Sequence, residues 1–116
     1  MNENETLKQE LMDRVEAREF KKNNGIIMRT INLIFKTKWF KASELVAAVS
    51  GYGLNEGEVF DSLDYLEGKK FILARDIGSG KTVEILDADS ETTEVKLTSD
   101  GRLVTLGIVR DPGIDM

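Results

Sequence analysis

Few residue types in this chain are equipped for chemistry, and the absences narrow the field first. The 116 residues contain no histidine and no cysteine. That removes the commonest general base, the usual transition-metal ligands and all thiolate or disulfide chemistry. Carboxylates are plentiful, with 21 Asp and Glu against 16 Lys and Arg, but no spacing makes two of them converge as an acid–base pair. Gly78-Ser79-Gly80-Lys81-Thr82 invites a phosphate-loop reading. That motif needs a glycine five residues before Gly80, where Arg75 stands, and a following helix whose N-terminus faces the phosphate. Thr82-Val83-Glu84-Ile85 instead alternates like a strand, so a hairpin turn is expected. Asp87-Ala88-Asp89-Ser90-Glu91 opens like a calcium loop, but Thr92 occupies the required glycine position and Thr98 the closing glutamate. It reads as a solvated loop. The chain is expected to be a non-enzyme that uses no metal and no cofactor.

The elements that would position any binding residues are clearer. Residues 3–23 are charged and rich in helix formers, with Leu7, Leu11 and Val15 in one narrow stripe and Met12 and Phe20 near the same side. Such a helix either lies along its own domain or pairs with a second copy through Leu7, Leu11 and Val15. Asn23-Asn24-Gly25 is expected to end it. Gly25 to Phe35 follows as a central helix with Ile27, Ile31 and Ile34 in line. Lys36 to Lys41 forms a short connector in which Trp39 and Phe40 make a brief edge strand, both read as core residues.

Ala42 to Lys70 reads as two helices with a tight turn, the first stopped by Gly51. Asn55 and Glu58 satisfy a capping box for the second, and Leu54 with Val59 a hydrophobic staple. Val59, Phe60, Leu63 and Leu66 supply its apolar face. Strands are expected at Phe71–Arg75, Thr82–Leu86 and Thr93–Leu97. Thr98 then caps a short helix that Gly107 stops, and Asp111-Pro112-Gly113 begins a tail. The division is an N-terminal amphipathic helix (1–24), a main domain (25–107) and a C-terminal tail (108–116).

This order, with the run from Leu54 to Ile72 and with Val95-Lys96-Leu97-Thr98-Ser99-Asp100-Gly101, resembles the winged helix-turn-helix superfamily, in particular MarR-like and PadR-like regulators. The resemblance covers roughly residues 25–107. It implies an α+β fold: a winged helix-turn-helix with an extra N-terminal helix and a two- or three-stranded antiparallel wing. It also implies a DNA-binding regulatory protein that docks the helix 55–68 in the major groove, usually as a homodimer. The sequence departs from the pattern at that helix, where Glu56, Glu58, Asp61, Asp64 and Glu67 outnumber Lys69 and Lys70. The Asp-x-Arg wing signature is also replaced by Asp76-Ile77-Gly78.

Two partners therefore stay open. Duplex DNA would be held through Lys36, Lys38 and Lys41 on the connector and Arg75 and Lys81 on the wing. A basic protein would dock on the acidic helix at Glu58, Asp61, Asp64 and Tyr65. The net charge of −5 makes any DNA contact a matter of local patches. No apolar run reaches the roughly 18 residues needed to span a bilayer. The acidic start carries no secretory pattern, so a cytoplasmic protein with no membrane contact is expected.

Overall fold

The computed structural model describes residues 3–116. It is an α+β structure of four α-helices and a small three-stranded antiparallel sheet. The first helix, α1, runs unbroken over Glu3–Thr30 and passes directly into one π-helical turn, Ile31–Phe35. The expected break at Asn23-Asn24-Gly25 does not occur, and the division drawn between residues 24 and 25 falls inside the helix. A distant segment overrides the local turn preference. Asn24 Nδ2 donates to the Gly113 carbonyl at 2.8 Å, and the Asp115 amide donates to the Lys21 carbonyl at 3.0 Å. A Cβ on Gly25 would sit 1.9 Å from the Asp115 carbonyl oxygen. Glycine here admits the C-terminal segment to the helix surface.

Ile27, Met28 and Ile31 are fully buried, whereas Ile34 is 60 % exposed. The π turn takes more residues per revolution than an α turn, which rotates Ile34 off the line expected for it. The connector leads to β1 (Phe40–Lys41) and α2 (Ala42–Val49). A 3-10 turn, Ser50–Tyr52, extends past the expected stop at Gly51 to Gly53, whose φ of +86° ends it. The next helix, α3 (Glu56–Gly68), begins with the expected capping box: the Asn55 side chain accepts from the Glu58 amide, and the Glu58 side chain accepts from the Asn55 amide.

Strands β2 (Ile72–Asp76) and β3 (Thr93–Leu97) follow, and β3 lies between β1 and β2. The expected strand at Thr82–Leu86 is absent. Thr82 makes one isolated bridge to Arg75, after which the chain turns through a 3-10 segment, Ile85–Asp87. Ile85 is 1 % exposed, and its segment packs against α3. Filling the core from the loop takes precedence over lengthening an edge strand. The last helix, α4 (Ser99–Thr105), is capped by Thr98, whose hydroxyl accepts from the Gly101 amide, and Gly107 follows its end at φ +75°. Val59, Leu63 and Leu66 of α3, Leu45 and Val49 of α2, the C-terminal half of α1 and the inner sheet face form a single core.

Candidate functional site

The period-2 alternation of a strand sends successive side chains to opposite faces. Here it buries Phe40, Ile72, Ala74, Thr93, Val95 and Leu97. The other set faces out: Leu73 and Arg75 from β2, Glu94 and Lys96 from β3, and Trp39 and Lys41 at β1. The register aligns Lys41 with Glu94 and Arg75 in one row, and Lys96 with Leu73 in the next. The Arg75 guanidinium lies 3.8 Å from the centroid of the Trp39 ring, and the Lys96 ammonium 5.9 Å from it. Arg75 also bonds to the Glu94 carboxylate, so one cation of the face is locally neutralised and held in place. Trp39 is half-buried on this outer face rather than in the core, while Phe40 alone of the pair points inward and stacks on Phe35. A one-residue alternation assigns the two neighbours opposite fates.

A shallow groove of about 460 Å³ beside the sheet is lined by Thr37, Leu73, Lys96, Leu97, Thr98, Ser99 and Arg102, with no acid among them. Lys36 and Lys38, on either side of Thr37, and Lys41 are exposed. Lys81 is exposed in the loop beyond β2, where its carbonyl accepts from Asp76, so it lies across the sheet from the connector lysines. The structure thus gathers Lys41, Arg75, Lys96 and Trp39, and leaves Lys81 apart. Lys96 and Arg102 also belong to this face, beyond the cations expected from the sequence. Their only signal was the outward parity of β3 and the position after the Thr98 cap.

The acidic helix face is divided. Glu56, Asp61 and Asp64 are exposed, but Glu58 is committed to the capping box. The Tyr65 hydroxyl donates to the Asp111 carboxylate, and its ring meets Phe20 edge-on at 5.3 Å. Burial first, then the bond to Asp111 and its negative charge, push the Tyr65 hydroxyl up to about 12. Lys69 pairs with Asp111 at 3.7 Å and sits over the Tyr65 ring. Tyr65 is a latch for the C-terminal segment, which leaves Glu56, Asp61 and Asp64 as the open part of α3.

Leu7, Leu11 and Val15 are each more than half exposed, and every residue from Glu3 to Glu19 is exposed. This part of α1 projects from the domain and does not lie along it. Phe20 belongs to the other side of the helix, against Tyr65. Among the described residues, no three carboxylates come together to hold a metal ion, and no helix is long and apolar enough to cross a membrane. Comparison with protein-family models, curated proteins and solved structures finds no match to this chain.

Proposed function

We propose that this chain is a non-enzymatic winged-helix protein of the transcription-regulator type. On this reading it holds duplex DNA chiefly through the outer face of its sheet and the connector. The element order supports the winged-helix assignment: helix, short strand, two helices with a tight turn, then two strands, with the first strand against the last. The observation that carries the binding site is the outer face itself. Arg75 and Lys96 lie over Trp39, Lys41 shares its row with Arg75 and Glu94, and Arg102 and the exposed connector lysines add further positive charge. Phosphates reward such a patch, and each neutralised phosphate releases counterions. Deep insertion of α3 into a groove would bring Glu56, Asp61 and Asp64 against phosphates, so α3 is held off the backbone.

Electrophoretic or anisotropy titration with duplex DNA tests this reading. Lys38→Glu, Lys41→Glu and Lys96→Glu together should abolish binding, while Asp61→Asn with Asp64→Asn should tighten it. The second reading, a basic protein docked on α3, is favoured by the exposure of Glu56, Asp61 and Asp64 on one helix. It predicts that the lysine reversals are tolerated and the asparagine changes weaken a complex with a basic partner.

A further inference from the structure

We propose that the projecting part of α1 pairs with the same segment of a second copy, antiparallel, about a two-fold axis at Leu11. This does not depend on the DNA reading. Leu11 precedes Ile27 by sixteen positions and Ile31 by twenty, which places it roughly 160–200° around the helix from both. Leu7, Leu11 and Val15 therefore lie on the side of α1 away from Ile27 and Ile31, and they and Met12 are left exposed by the domain. A helical stretch without tertiary contacts is marginal in water, and four exposed large apolar side chains on one side need a cover.

Two features choose a second copy, and an antiparallel one. The stripe is symmetric about Leu11: Leu7 and Val15 lie four residues to either side, so an axis there sets Leu7 against Val15 of the other copy and Leu11 against itself. The charges are polarised along the same axis. Glu3 and Glu10 lie on the same side of the stripe as Arg14, Arg18 and Lys21, and reversal brings the acids of one copy within about a turn of the other's bases. On the opposite side an apolar groove of about 410 Å³ is lined by Leu11, Met12 and Val15 between Lys8 and Glu16, and the same axis brings Lys8 near Glu16 of the second copy. In a parallel pair each flank of the stripe would instead meet the opposite flank of the other copy, so Glu10 would no longer meet Arg14.

The absence of cysteine makes cross-linking of the full chain a direct test. Leu11→Cys should form a disulfide-linked dimer on its own. Leu7→Cys and Val15→Cys should each fail alone, because like positions are offset by about 12 Å along the axis, beyond a disulfide's reach of about 7 Å. Mixed together, they should link. Light scattering of the unmodified chain at 50 µM should give twice the monomer mass, and Leu11→Glu with Val15→Glu should halve it without changing the melting of the domain. A monomeric unmodified chain, or self-linking at Leu7→Cys and Val15→Cys, would overturn the proposal.

Discussion

Tyr65 carries the most consequential side-chain contact outside the core. It ties α3 to Asp111 and so to the segment that seals α1. Its raised pKa means that the native state holds the proton more tightly than the unfolded chain. The stability this contributes is complete below the unfolded value of about 10 and is lost as pH rises toward about 12. Thermal melts between pH 9 and 11.5 should show a falling midpoint above pH 10 that flattens in Tyr65→Phe, and near neutrality that variant should lose about 1–2 kcal/mol. An unchanged alkaline slope would remove Tyr65 as its cause. Ser62 makes the opposite case: its buried hydroxyl has no hydrogen-bond partner. Ser62→Ala removes an unsatisfied group and improves helix propensity, so a gain of about 1 kcal/mol in urea unfolding is expected. A loss would mean that the hydroxyl is in fact bonded.

At the scale of elements, the features legible in the sequence are those whose causes lie within a few residues. The α3 capping box is set by Asn55 and Glu58, three positions apart, and the α4 cap by Thr98 and Gly101. The course of α1 was not legible because its cause lies in bonds such as that between Asn24 and Gly113, 89 positions apart. Neither was the Trp39 site, which exists only once β1, β2 and β3 adopt their register. The tail contact has a sharp test. Gly25→Ala puts a methyl where the Asp115 carbonyl lies, so it should release the C-terminal segment and raise hydrogen exchange at Ile114 and Asp115. Exchange unchanged from the unsubstituted protein would contradict the close approach. Truncation before Arg18, by contrast, removes no buried residue from Glu3 to Ala17, and the domain should melt within about 2 °C of the full chain.

The whole molecule separates its charges. Acids dominate the open face of α3, cations and one aromatic dominate the outer sheet face, and the net charge remains −5. Binding through the sheet face should therefore be strongly salt-dependent. With Lys36, Lys38, Lys41, Lys96 and Arg102 each contacting a phosphate, log affinity against log salt should fall with a slope of about −4 to −5. Tight binding with a slope near zero would point to a surface other than this one. Trp39, the single tryptophan of the chain, stands within the proposed site and reports on it without a label. The most direct measurement is its intrinsic fluorescence during titration with duplex DNA at 50 mM and 200 mM salt. A saturable change in Trp39 emission is expected at 50 mM, weakened several-hundred-fold at 200 mM by that slope and absent from the Lys38→Glu, Lys41→Glu, Lys96→Glu variant. Emission that does not respond to DNA at 50 mM salt would contradict DNA binding at this face.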